Sequence, residues 1–135
     1  MSRQWIWAKS DTPPKCILSK WQKQSLVAGA DTFLRSFYQA KFPSPPPENT
    51  RFNYIVDFSV CWHGSYLRFT AKYACPSPDA PAPFFDHPFA RLGYFGTDRY
   101  NLRARRHNDR WIVISDELTL QECFEDMRTN PWFHF

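Results

Sequence analysis

The strongest constraint on the fold of this chain is a succession of alternating apolar and polar residues in its last third. One such run begins at Ala90 and a second ends at Arg105, with the turn residues Gly96-Thr97-Asp98 between them. A third apolar run begins at Trp111 after another polar break. Alternation with a period of two, broken by turn residues, is typical of antiparallel strands joined by short turns. The pattern therefore predicts a β-meander.

Two further alternating runs precede this meander. Arg51–Val60 predicts a strand, and Tyr66–Tyr73 predicts its antiparallel partner after a turn at His63-Gly64. The side chains predicted to face the core from the first run are those of Phe52, Tyr54, Val56, Phe58 and Val60. Cys75–Pro88 is predicted to be a loop, because proline cannot donate a ladder hydrogen bond.

Helical periodicity occurs near both ends of the chain. Gln24–Gln39 carries an apolar stripe at steps of three and four, and Ser19 is a suitable N-terminal cap. Near the C-terminus, Thr119 and Glu122 form a T-x-x-E capping box in front of a second apolar stripe. This second helix is expected to end at Asn130-Pro131.

Together these patterns predict an α+β fold. We expect an antiparallel sheet of about five strands in meander order, with an N-terminal and a C-terminal helix packed on one face. Residues 1–18 are interpreted as an N-terminal arm and residues 19–135 as a single α+β domain. The predicted shared core consists of Phe33, Phe37, Phe52, Val56, Phe58, Leu67, Phe69, Leu102, Phe124 and Met127.

The composition excludes several classes of protein. No stretch approaches ~18 consecutive apolar residues, which a membrane-spanning helix requires. The N-terminus lacks the apolar segment of a secretion signal. The four cysteines include no C-x-x-C pair. We therefore expect a cytoplasmic protein with reduced thiols and no membrane partner.

Several short motifs in the C-terminal part resemble those of a known family. They are Tyr73-Ala74-Cys75-Pro76, Pro88-Phe89-Ala90-Arg91-Leu92, Asp98-Arg99-Tyr100-Asn101-Leu102, Arg106-His107, Arg110-Trp111 and Leu118-Thr119-Leu120-Gln121-Glu122-Cys123. Over about residues 52–133 the chain resembles a family of small bacterial proteins classed as a domain of unknown function. The resemblance implies a bacterial cytoplasmic protein and supplies no activity, cofactor or catalytic residue.

The residues that carry metal or nucleophilic chemistry form no convincing catalytic set. Cys61, His63, Cys75 and His87 could be combined into a zinc site, but a C-x-H spacing is poorly suited to chelation. The alternative is that both cysteines are small apolar residues at strand ends. Cys123 lies on a helical apolar stripe, where a thiol is expected to be inert. We expect no metal, no cofactor and no catalytic residue, and hence a protein that is not an enzyme.

Arginines are concentrated around one predicted hairpin. The candidates for contacts with nucleic acid are Arg99, Arg103, Arg105, Arg106 and Arg110. Arginine forks bind phosphate well, and a β-ribbon can enter a nucleic-acid groove. The alternatives are a solvated outer face, or ion pairs with the acids of the last helix. Because the net charge is only +4, charge alone supports nucleic-acid binding weakly.

Aromatic residues are also concentrated at the two ends of the chain. Those proposed to contact a partner are Trp5, Trp7, Trp132, Phe133 and Phe135. They either dock on their own domain or bind another chain, because large apolar side chains are costly to leave in water. The function expected from the sequence is a non-catalytic interaction module, or a small accessory subunit, that binds another protein or a second copy of itself. Nucleic-acid binding through the hairpin at residues 99–110 is the alternative.

Overall fold

The computed structural model describes residues 18–42, 52–105 and 108–135. Its centre is a five-stranded antiparallel sheet in which the strands are neighbours in chain order. The strands are β1 Tyr54–His63, β2 Tyr66–Ala74, β3 Phe84–Tyr94, β4 Tyr100–Arg105 and β5 Trp111–Leu118. The predicted α+β class and the meander order are confirmed.

The first helix, α1, spans Lys20–Phe33 and begins directly after the predicted cap, Ser19. Ser19 caps it: the Gln22 N–H donates to the Ser19 hydroxyl at 3.1 Å, and the Gln22 side chain accepts from the Ser19 N–H at 2.9 Å. The chain continues through a π-helical turn, Leu34–Tyr38, and a short 3-10 turn, Gln39–Lys41. The wider turn places Tyr38, five residues after Phe33, in the core.

The second helix, α2, spans Leu120–Thr129. The predicted capping box is confirmed, with the Glu122 N–H donating to the Thr119 hydroxyl at 3.2 Å and the Thr119 N–H donating to Glu122 at 2.9 Å. A short 3-10 turn, Pro131–Phe133, follows it. Within the described ranges, no helix has the length and apolar character needed to cross a membrane.

Both helices cover the same face of the sheet. The rings of Phe33 in α1 and Phe124 in α2 stack with their centroids 4.5 Å apart, so the helices also touch each other. The members of the predicted core that are buried are Phe33, Phe58, Leu67, Phe69, Leu102, Phe124 and Met127. Phe37 is partly buried and packs against them. Most of the predicted core is therefore confirmed.

The prediction for the start of β1 is wrong. Phe52 precedes the strand and is 81% exposed. A β-bulge at Val56 lies between the register pairs Ile55–Tyr73 and Asp57–Lys72. The extra residue reverses the alternation on the N-terminal side of the bulge, so that Ile55 packs against the core instead of Val56.

The predicted loop Cys75–Pro88 is also partly wrong, because β3 begins at Phe84. Pro88 lies within that strand, opposite Thr70 and beside a bulge at Phe89. Proline is tolerated in a sheet at such a position because the bulge already interrupts the ladder. Similarly, β5 continues to Leu118, beyond the predicted apolar run that starts at Trp111.

A pair of truncations tests which face of the sheet is the core. Phe69→Ala removes a fully buried ring and is expected to lower the free energy of unfolding by about 3–5 kcal/mol. Phe52→Ala removes an exposed ring and is expected to change it by about 0.5 kcal/mol or less. Urea denaturation of both variants measures the two changes. Equal losses would contradict the assignment of the core.

Candidate functional site

The face of the sheet opposite the helices carries a row of three arginines. Arg68 on β2 lies directly opposite Arg91 on β3, and Arg91 lies directly opposite Arg103 on β4. We call these three residues the arginine row. The row continues at its ends with Cys61 on β1 and Val113 on β5, so three cations stand side by side across the middle of the sheet.

The guanidinium groups of the row are held close to the sheet. Arg103 is only 7% exposed, and Arg68 and Arg91 are half-buried. The Nε atoms of Arg68 and Arg91 are buried without a hydrogen-bond partner among the described residues. In the same part of the chain, neither of these two side chains forms a salt bridge with a carboxylate. Burial of a cation without a counter-charge is unfavourable.

The electrostatic effect of this arrangement appears at the central arginine. Burial lowers the pKa of Arg91, and the positive charges of Arg103 and Arg68 lower it further. Like charges directly opposite each other on neighbouring strands destabilise a sheet. Burial and like charge therefore both disfavour the charged form of Arg91 in the isolated domain.

Two aromatic rings frame the row. The guanidinium carbon of Arg91 lies 4.0 Å from the ring centroid of Tyr66 and 4.5 Å from that of Trp111. The Arg103 guanidinium lies 5.4 Å from the Tyr66 ring. Tyr66 lies opposite Gly93, and Trp111 lies opposite Arg105, so the two rings approach the row from its two sides. These cation–π contacts fix the orientation of the Arg91 guanidinium plane.

Two carboxylates near this face form salt bridges at its margins. Arg35 binds Asp57 at 2.8 Å, and Arg105 binds Asp109 at 3.0 Å. Asp86 lies opposite Lys72, near the end of β2. None of these three acids forms a salt bridge with Arg68 or Arg91 in the described part of the chain.

The predicted arginine hairpin is only partly brought together. Arg103 and Arg105 share a face of β4, as predicted, but Arg103 is buried and so is not part of a solvated outer face. Arg99 and Arg110 are exposed beyond opposite ends of β4. Arg106 lies outside the described residues.

The acids of the last helix have partners on the helical side of the sheet. Glu125 pairs with Arg128 at 3.1 Å, and Asp126 accepts a hydrogen bond from Ser115 at 2.6 Å. The carboxylate of Glu122 belongs to the capping box, and its hydrogen bonds with Thr119 lower its pKa. These three acids are thus engaged with helix or β5 groups.

The C-terminal aromatics dock on their own domain to different extents. Phe133 is buried, and its carbonyl accepts a hydrogen bond of 3.0 Å from the Tyr38 hydroxyl. The Phe135 ring lies 4.9 Å from that of Phe89, although 49% of Phe135 remains exposed. Trp132 is 51% exposed. Trp5 and Trp7 lie outside the described residues.

The combination of cysteines and histidines considered for a metal does not converge. Cys61 pairs with Arg68 at one end of the β1–β2 hairpin, whereas Cys75 follows Ala74, the register partner of Tyr54, at the other end. The length of β1 between these points separates the two thiols by about 24 Å. Among the described residues, no three His, Cys, Asp or Glu side chains are placed to hold a metal ion. The thiol of Cys123 is buried, and burial raises its pKa.

The sequence did not bring Arg91, Tyr66 and Trp111 together. Arg68 and Arg91 each occupy a polar position in their own alternating runs. Each strand by itself therefore indicated that its arginine faces away from the core. Only the register, which depends on the bulge at Phe89, places these residues in one row.

A condensed phosphate anion tests whether the row binds anions. Sodium tripolyphosphate is expected to raise the melting temperature by about 2–5 °C over sodium chloride of equal ionic strength, because it binds only the folded state. The Arg68→Gln/Arg91→Gln variant is expected to lose this increment. An equal rise with both salts, or an equal rise in the variant, would contradict anion binding at the row. Differential scanning fluorimetry measures the effect.

Comparison with known families gives a single result. The family model described as Domain of unknown function (DUF3024) matches residues 19–135. The matched region includes α1, which lay outside the motifs noted in the sequence. No curated protein and no solved structure matches the chain. With most of its length matched, the chain belongs to the family DUF3024.

Proposed function

We propose that this domain is a non-catalytic binding module and that the arginine row binds nucleic acid. The observation that carries the proposal is the register Arg68–Arg91–Arg103, which sets three cations side by side on the face away from the helices. A polyanion supplies the negative charge that Arg68 and Arg91 lack among the described residues, and the exposed part of a guanidinium can bind a phosphate through two N–H groups. The proposal keeps the nucleic-acid hypothesis but moves the binding surface from the hairpin at residues 99–110 to the arginine row.

The chemistry of the row favours a polymer of phosphates over a single carboxylate. Three adjacent strands hold the three guanidiniums, so the row extends over about 10 Å across the sheet. One small anion satisfies one fork, whereas a chain of phosphates contacts several of them. Arg91 is already oriented by Tyr66 and Trp111, which reduces the ordering that binding requires.

A hairpin that inserts into a groove is less well supported than the row. β4 lies between β3 and β5 in the sheet, so it cannot enter a groove as one strand of a two-stranded ribbon. In addition, Arg99 and Arg110 lie near opposite ends of β4. The surface proposed here therefore includes Arg103 from the hairpin but not its turn residues.

A binding role is favoured over catalysis by the position of the reactive side chains. Cys61 and Cys75 are far apart, and Cys123 is buried with a raised pKa. A nucleophilic thiol needs a lowered pKa and a neighbouring base. The arginine row offers charge and hydrogen-bond donors, which serve binding directly.

The salt dependence of binding tests the proposed surface. Affinity for a fluorescent DNA of about 12 nucleotides is measured by anisotropy between about 50 and 200 mM salt. Arg68→Gln/Arg91→Gln is expected to reduce the slope of log K against log salt by about 1.4–1.8, because two phosphate contacts are lost. The physical reason is the release of fewer counterions.

A charge-matched control separates the row from the hairpin turn. Arg99→Gln/Arg110→Gln removes the same charge from exposed positions and is expected to leave the slope within about 0.5 of the wild type. If this control changes the slope more than the row variant does, the phosphate contacts lie at the hairpin and the proposed surface is wrong. If the wild type does not bind DNA or RNA at low salt, nucleic-acid binding is wrong.

A second candidate function is self-association through the C-terminal aromatics. The observation that favours it is the exposure of Trp132 and Phe135 side by side with the buried Phe133, at the rim of a cavity of about 300 Å³ next to His87 and Arg105. Exposed aromatic rings next to a cavity are typical of protein interfaces. We propose a second copy of the chain as the partner, to which Trp5 and Trp7 would add apolar surface.

Sedimentation velocity tests this second candidate. Trp132→Ala is expected to weaken a self-associated state at least tenfold, because interface tryptophans often contribute strongly. Trp21→Ala, which removes a 74% exposed ring from α1, serves as the matched control and is expected to leave association unchanged. A wild-type protein that is monomeric at high concentration would contradict self-association.

A further inference from the structure

Resting on the proposed function, we infer that the arginine row takes a single-stranded nucleic acid and not a duplex. In this arrangement the backbone crosses the strands along the row. Bases on its two sides stack against Tyr66 and Trp111. The inference depends on the shape of the face and on the position of the two rings.

The width of the sheet makes it a poor fit to the groove of an undistorted B-form duplex. Five strands with a spacing of ~4.8 Å place the outer strands about 19 Å apart. The major groove of B-form DNA is about 12 Å wide, and the row lies in the middle of the sheet. An undistorted duplex therefore meets this face along its outer backbone, and its stacked bases stay away from the rings. A single strand can lie flat on the sheet.

The rings occupy the positions that splayed bases need. Tyr66 lies opposite Gly93, on one side of the arginine row. Trp111 lies opposite Arg105, on the other side of the row. Gly93 has no side chain to stand between Tyr66 and the row. Both rings are half-buried, so each keeps solvent-accessible surface beside the guanidinium of Arg91. Phosphates on arginines and bases on aromatic rings are the usual combination in single-strand binding.

The charge distribution agrees with a single-stranded nucleic acid whose backbone runs across the β-strands. The carboxylates of Asp57 and Asp109 are held by Arg35 and Arg105 at the margins. A backbone that ran parallel to β2 would pass from Arg68 to Thr70 and would meet a single arginine of the row. A backbone that crosses from β2 towards β4 meets both Arg68 and Arg91, the two arginines of the row that keep exposed surface. The row therefore sets the direction of the bound strand.

A comparison of two forms of the same oligonucleotide tests the inference. A labelled strand of about 12 nucleotides is titrated alone and annealed to its complement, as DNA and as RNA. The single strand is expected to bind at least tenfold more tightly than the duplex. Trp111→Leu is expected to reduce this ratio about tenfold, because it removes one stacking surface. Trp111→Phe keeps a ring and is expected to retain most of the ratio.

Controls separate the failure of this inference from the failure of the proposed function. Trp21→Leu removes an exposed ring that lies outside the face and is expected to leave the ratio unchanged. Circular dichroism establishes that each variant is folded. Equal affinity for single strand and duplex, or a ratio unaffected by Trp111→Leu, would overturn the inference while nucleic-acid binding stands. Absence of binding to both forms at low salt would overturn the proposed function itself.

Discussion

The fold depends on the contact between the two helical segments over one face of the sheet. Phe33 and Phe124 stack at 4.5 Å, and the Tyr38 hydroxyl donates a hydrogen bond to the carbonyl of Phe133. Burial raises the pKa of Tyr38, so that its hydroxyl remains protonated and keeps donating throughout the physiological pH range. Because both α1 and α2 are committed to this face, neither can shield the opposite face, where the arginine row lies.

The opposite face is stabilised in a different way. Its centre is built from arginine side chains whose apolar stems lie along the sheet and whose guanidiniums contact Tyr66 and Trp111. Cation–π contacts offset part of the repulsion between Arg68, Arg91 and Arg103. The pKa of Arg91 is nevertheless lowered, first by burial and then by the charges of the two neighbouring arginines. A surface that is electrostatically unfavourable in isolation and ordered in geometry is typical of a binding site, where stability is lost in favour of function.

The local signals in the sequence were sufficient for most of the fold. The capping residues Ser19 and Thr119 mark both helix starts, and the alternating runs place the strands in the correct order. The errors lie where the regular period is broken. The bulges at Val56 and Phe89 and the π-helical turn at Leu34–Tyr38 each change which side chains face the core. Such irregularities are stabilised by packing against distant segments, so a local pattern does not contain them.

For the candidate site, too, some features follow from the sequence and others only from the tertiary structure. The sequence by itself determined that Arg68 and Arg103 occupy polar positions of their strands, away from the core, because side chains alternate between the two faces of a strand. It also determined that Tyr66 lies on the same face as Arg68. The tertiary structure alone decided that Arg91 lies opposite both arginines and between Tyr66 and Trp111. The physical reason is that a one-residue shift in register moves every side chain of a strand to the other face, and the bulge beside Pro88 sets that register.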